Sequence, residues 1–401
     1  MVTEVPDIGR AVLQRAQSLS PRMRQIRRSL HQAPELSEHE FATTAYLADR
    51  IAELNLTPQY AGGRRGVWAD IDGGAPLPGR RVAMRGDIDA LPLQTQLEAC
   101  YASQTAGVMH ACGHDAHATM VWGATAILKQ MRDAGELPTT FASRSIFQPA
   151  EETSTGGIHM IDAGALQEVH CAIALHVDPS RNVGTFGFRD LAFTAGCDVF
   201  EMELTGKAGH GARPHLTGDT VGAAAAWIHE VYSRLPRSYD ARDPIVVNVG
   251  QIQAGAAANI VPAKVSLGGT VRTLSIAAAE HAKDQIDRIS QSLQLRYPVE
   301  AKVTYSRHTP PVINDPLINA AFRIAAGRIV GEENVHQIDQ PSMGAEDFAF
   351  FGSKVPAAMM RIGVAGIEIG QQPLHTPTFD IDEAALPYGA AALALAAIDL
   401  R

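Results

Sequence analysis

Cysteine is scarce in this chain: four thiols, Cys100, Cys112, Cys171 and Cys197, in 401 residues. So few over such a length exclude a disulfide-built scaffold. Cys100, Cys171 and Cys197 are expected to be buried thiols of no special role, and only its neighbours set Cys112 apart. Basic charge is in deficit too, 34 Lys and Arg against 43 Asp and Glu, a formal net charge of −9. With no long basic run, that balance argues against nucleic acid as a partner. Long apolar runs are missing. The longest, Gly389 to Ile398, is too short to cross a bilayer and too alanine-rich to anchor in one. Residues Met1 to Arg10 carry Glu4 and Asp7 and no apolar core, unlike a secretory signal. The expectation is a soluble, cytoplasmic protein with no membrane partner.

What is present is ordinary globular material, 46% hydrophobic and 19% charged residues, in a chain long enough for two domains. Helix-like segments (Arg22 to Gln32, Thr43 to Leu54, Ala116 to Arg132) alternate with apolar strands (Val67 to Ile71, Arg81 to Arg85, Arg144 to Gln148, Ala172 to Val177). That alternation predicts an α/β layered domain with a mostly parallel sheet. Near Leu191 the texture changes. Asp198 to Leu204 alternates strictly, with Phe200, Met202 and Leu204 on one face and Val199, Glu201 and Glu203 on the other. A helix is expected after Asp219, an N-cap candidate. Strands at Ile245 to Gln251 and Ala263 to Thr270 and a helix at Ala277 to Leu293 follow. This order describes a ferredoxin-like α+β module over 192–306, inserted into a larger domain made of 1–191 and 307–401.

Candidate chemistry gathers at strand ends. In Met109-His110-Ala111-Cys112-Gly113-His114-Asp115, a thiol and an imidazole flank a glycine and can turn toward one point, as ligands suited to zinc and its neighbours. Asp115 is a candidate outer partner. Gln148-Pro149-Ala150-Glu151-Glu152 follows a buried strand. A lone Glu-Glu pair is ordinarily a solvated turn, but α/β sheets keep their sites at this end. Read as strand neighbours, the two glutamates point opposite ways, one toward a metal and one toward a water. His176 ends another apolar strand, and His375 sits in a loop before the last helix; singly, each is more often structural. Asp87 and Asp89, at strand spacing, share a face as ligands or as carboxylates that orient a histidine. Together these place thiolate, imidazole and carboxylate groups at the ends of several separate strands.

Over nearly its whole length the chain resembles the aminoacylase-like metallopeptidases, in the subgroup of hippurate hydrolases, N-acyl-amino-acid amidohydrolases and auxin-conjugate hydrolases. The resemblance rests on Leu30-His31-Gln32 with Pro34 to Ser37, Arg85 to Pro92, Met109 to Asp115, Phe147 to Glu152 and Gly164 to Leu166. It continues through Gly206 to His210, Pro214-His215, Asn259 with Pro262, Ser342 to Phe348 and Leu374 to Glu383. It implies a zinc-exopeptidase-like catalytic domain and an inserted lid or dimerisation domain. It also implies two divalent ions, zinc first, with manganese, cobalt or nickel as alternatives, on Cys112, His114, Glu152, His176 and His375. By the same resemblance Glu151 is the general base, Asp89 braces the site, and His210, Asn259 and Arg272 face the substrate. Arg272 would grip its carboxylate, and His210 often acts across a dimer interface, so a homodimer or homotetramer is implied. The expected activity is hydrolysis of N-acyl amino acids, hippurate-like or N-acetyl. Ala208, Gly211, Ala345 and the alanine-rich run 254–258 depart from the family's pattern on the substrate-facing side. Rival readings are a dipeptidase or carboxypeptidase of the same fold, a non-catalytic metal-binding relative, and a thiol hydrolase built on Cys112 and His114.

Overall fold

A computed structural model describes residues 8–400, so most of the segment weighed as a secretory signal, residues 1–7, lies outside the described residues. The chain divides into two compact units, one of residues 1–191, 313–340 and 347–401, the other of 192–312 and 341–346.

The first unit is built on an eight-stranded sheet. Its four central strands, in the order Ala142–Gln148, Arg81–Asp87, Val169–Asn182 and Ala357–Ala365, run parallel. Antiparallel Val67–Asp72 extends it on one side. Arg81–Asp87 and Ala142–Gln148 are buried at every position, as central strands covered on both faces are, even where Arg81, Arg85 and Arg144 interrupt their apolar residues. Parallel pairing puts the C-terminal ends of these strands on one edge of the sheet. Asp87 pairs with Gln148 and Arg85 with Ala174, so the register sets Asp87, Gln148 and His176 level.

Helices Ile8–Gln32, His114–Asp133 and Leu386–Asp399 pack on one another. The apolar run noted at the C-terminus is the inside of this layer: every residue from Gly389 to Ile398 is buried, as expected of a helix apolar all round. Among the described residues no helix is long and apolar enough to cross a membrane. The first helix begins at Ile8, well before the expected Arg22, and carries Pro21 inside it. Val12, Ala16, Met23, Ile26 and Leu30 form one buried stripe through the proline, and burial on both sides of it outweighs the lost backbone bond.

The second unit is a four-stranded antiparallel sheet, Ile245–Ala254, Lys264–Thr273, Gly196–Gly206, Val299–Thr309 in spatial order. In chain order the strands lie 2-3-1-4, the ferredoxin-like arrangement. Phe200, Met202 and Leu204 are buried against helices Thr220–Arg234 and Ile276–Gln294. Asp219 caps the first of these by accepting from Gly222 N at 2.9 Å.

Candidate metal centre

The chemistry-bearing side chains of the first unit arrive on four segments. Gly113 holds φ +88°, and the helix starts at the next residue, His114. This left-handed turn, open to glycine at no steric cost, swings Cys112 and His114 to the same side. Ala150 has φ +52°, so Glu151 and Glu152 lie in a turn past their strand. The strand alternation expected for them therefore fails: Glu151 Oε2 and Glu152 Oε1 both approach His114 Nε2, at 3.9 and 4.0 Å. His176 comes from the central strand Val169–Asn182. His375, at φ +61° in its loop, is tied to the Cys112 segment by its own N–H, which donates to Ala111 O at 2.7 Å.

These groups converge. Cys112 Sγ lies 3.5 Å from His176 Nε2 and 3.3 Å from His375 Nε2, and His375 Nε2 is 3.5 Å from Glu152 Oε1. Two triads, Cys112–His114–His176 and Cys112–Glu152–His375, each have ligand atoms within 4.8 Å of one another, and they share the thiol. His176 Nδ1 donates to Val177 O at 2.8 Å and His114 Nδ1 to Asp89 Oδ1 at 3.1 Å, which turns both Nε2 lone pairs inward. The donor set fits divalent cations. His114 Nε2 and Glu152 Oε1 are buried without a hydrogen-bond partner, a costly arrangement that a coordinated ion relieves. Burial pushes the Cys112 thiol well above its ordinary range and the Glu152 carboxyl up to about 7. Anionic donors in so dry a place need a positive charge beside them. Burial also holds His176 well below its usual value, as the neutral ligand form. For His114 burial acts the same way, but Asp87, Cys112 and the bond to Asp89 outweigh it and raise the imidazole.

A ring of further groups fixes these donors, and most were not singled out from the sequence. Asp89 Oδ2 accepts from Ser37 Oγ at 2.7 Å and from Glu152 N at 3.0 Å. Glu40 accepts from Ala150 N at 2.7 Å. Asp115 Oδ2 takes Arg27 Nε and His31 Nδ1, both at 2.8 Å. Asp347 N donates to Glu151 Oε1 at 3.3 Å, and the Asp347 carboxylate is gripped by Arg85 and Gln148, each at 2.7 Å. His117 resembles a ligand by its closeness to Asp87 and His114. Its Nδ1 is bonded to Asp87 Oδ1 at 2.7 Å and its Nε2 accepts from Val177 N at 3.0 Å, so neither nitrogen is left for an ion. Asp89 and Asp115 are the outer partners that the sequence leads one to expect; the only signal for the others is that several fall inside the quoted motifs.

In the second unit, His210 pairs with Ile260, and Gly211 N donates to Asn259 O at 2.8 Å, so His210 and Asn259 are neighbours. Arg272, on another strand, donates from Nη1 to Met343 O at 2.7 Å. Cys171 and Cys197 are buried, but Cys100 is exposed, against expectation. It follows Glu98 and Ala99 in an irregular segment, beside the end of the first helix, where Gln32 Nε2 donates to Cys100 O at 3.0 Å.

A layered α/β unit with a shared-thiol cluster at the C-terminal edge of its parallel strands, interrupted by a ferredoxin-like unit, defines a metal-dependent hydrolase. Residues 83–399 match peptidase family M20/M25/M40, and the chain belongs to that family. Among its relatives is an N-acetylcysteine deacetylase of Bacillus subtilis, 35% identical over 370 residues, covering 91% of this chain and 93% of that one. An IAA-amino acid hydrolase of Arabidopsis thaliana is 33% identical over 373 residues, covering 91% and 82% respectively. The solved structure of a dinuclear metal-binding M20 peptidase from Bacillus subtilis matches at TM-score 0.82 and 31% identity, covering 95% of this chain and 98% of that one.

Proposed function

We propose that this protein is an amidohydrolase acting on N-acyl amino acids, N-acetyl or hippurate-like. It would use two divalent ions, zinc first with manganese, cobalt or nickel as alternatives, held by Cys112, His114, Glu152, His176 and His375. The observation that carries the reading is the thiol of Cys112 belonging to both ligand triads. The substrate class is supported by relatives named for removing acetyl from cysteine and for cleaving IAA–amino acid conjugates.

When bound, such ions lower the pKa of a water toward neutrality and polarise the scissile carbonyl. Glu151 takes the water's proton and passes it to the departing nitrogen. The Asp347 N–H steadies its Oε1, while its Oε2 faces the His114 ring. Asp89 locks the His114 tautomer. His210 is assigned to the developing oxyanion, Asn259 to the substrate-facing surface, and Arg272 to the substrate carboxylate, whose shape its guanidinium fork matches. A homodimer or homotetramer through the inserted unit, serving as lid, and a cytoplasmic working place complete the reading.

Glu151→Gln is expected to keep both metal equivalents by elemental analysis and to lose roughly 10²–10⁴-fold in turnover. Full activity in that variant refutes the base assignment. A panel of N-acetyl and N-benzoyl amino acids set against dipeptides tests the substrate class. Faster cleavage of dipeptides makes the protein a peptidase instead.

A further inference from the structure

The first helix carries a fully buried cation that the reaction does not use. Arg27, with no solvent exposure, lies on the inner face of Ile8–Gln32. Its Nε donates to Asp115 Oδ2 at 2.8 Å and its Nη2 to Asp380 Oδ1 at 2.7 Å. Asp115 directly follows His114 in the first turn of its helix and accepts from Ala116 N at 2.9 Å. Asp380 closes the loop that starts at His375, accepting from Ile381 N at 2.8 Å and from Tyr101 Oη at 2.8 Å. One planar guanidinium thus spans the two segments that bring Cys112, His114 and His375 to the cluster.

We propose that Arg27 is a positioning residue of the metal centre, clamping the Cys112–His114 segment and the His375 loop together and so setting the affinity of the ion that Cys112, Glu152 and His375 would share. The proposal rests on the two-ion reading above. His375 stands at φ +61°, a backbone state that a non-glycine residue keeps only when its surroundings over-determine it. The clamp at Asp380 and the bond from His375 N to Ala111 O supply that constraint from either end of the loop. A lysine could satisfy one carboxylate but lacks the fork that reaches both.

The test measures zinc affinity by competition with a chromophoric chelator, alongside the melting temperature of the metal-free protein. Wild type is expected to bind two equivalents. Arg27→Lys should keep one and bind the other about ten- to hundredfold more weakly, the usual effect of losing an outer partner of a ligand. Tyr101→Phe removes one bond to Asp380 without unbalancing charge, and should shift the same equivalent by a smaller factor. Arg144→Lys is the structural control. Arg144 grips Asp70 with two bonds of 2.7 Å on a strand whose far end leads to Glu151, and its loss should lower the melting temperature with both zinc affinities intact. Unchanged zinc affinities in Arg27→Lys, or a fall matched by Arg144→Lys, overturn the clamp. If Arg27→Lys does not fold, unchanged affinity in Tyr101→Phe overturns it. Wild-type protein that takes up no zinc would instead overturn the two-ion reading, and the clamp with it.

Discussion

Glu40 is a fully buried carboxyl whose Oε1 accepts from Glu38 N at 3.0 Å and Ala150 N at 2.7 Å, while its Oε2 has no partner. Burial raises it to about 7 from its ordinary 4.5. The sign of the linkage follows: between these two values the unfolded chain has released the proton and the folded one still holds it. Stability therefore falls as pH rises from about 4.5 to 7, and the full cost persists above that. Glu40→Gln keeps an acceptor for both amides and cannot ionise. Its stability relative to wild type should rise across that window by about 1–3 kcal/mol and then level off, measured by urea unfolding in chelator at a series of pH values. A difference that does not change with pH would show Glu40 to titrate normally. Residues of this kind were not legible in the sequence. Cys112, His114 and the Glu151–Glu152 pair announce themselves by type and spacing. Glu40 and His117 are defined by what they touch, and Ser37, though inside a quoted motif, by its bond to Asp89; Ala150, Asp87, Val177 and Asp89 all lie far from them in the chain. The direction of the two glutamates was misjudged because nothing in Pro149-Ala150 betrays the positive φ at Ala150.

At the scale of elements, pattern reading succeeded where burial imposes a period. The alternation of Asp198 to Leu204 and the strand–helix order after it define the inserted sheet, because one face of each strand must be apolar. It failed at ends, as with the first helix, where tertiary burial carries the chain through Pro21. The helix His114–Asp133 shows what an element's start can control. It opens on Gly113 at φ +88°, where an added Cβ would run into Val177 Cγ2. Val177 follows His176 and donates its N–H to His117. Gly113→Ala should thus disturb two ligand segments at once, that of Cys112 and His114 and that of His176. The left-handed backbone and the overpacking together are expected to cost about 2–4 kcal/mol, read by urea unfolding of the metal-free protein, with bound zinc falling below two equivalents. A variant as stable as wild type and fully loaded would mean that the turn is not needed to aim Cys112 and His114.

For the whole molecule, the two units hold separate apolar clusters. One gathers Met23, Met120, Phe147 and Leu393, the other Phe200, Trp227, Ile286 and Leu293. All five proposed ligands belong to the first unit. An ion that binds only the folded first unit stabilises that unit by mass action, about 4 kcal/mol per site at a thousandfold excess over Kd. For a unit of this size that is a shift on the order of 10 °C. Scanning calorimetry should then resolve two transitions, since multi-unit chains need not melt as one. Adding a chelator should lower the transition of the first unit by that amount and leave that of residues 192–312 within about a degree. A zinc-depleted protein whose transitions fall together would show that the inserted unit melts only with its host. A protein whose transitions both stay put would show that the ions contribute nothing to the fold that positions their ligands.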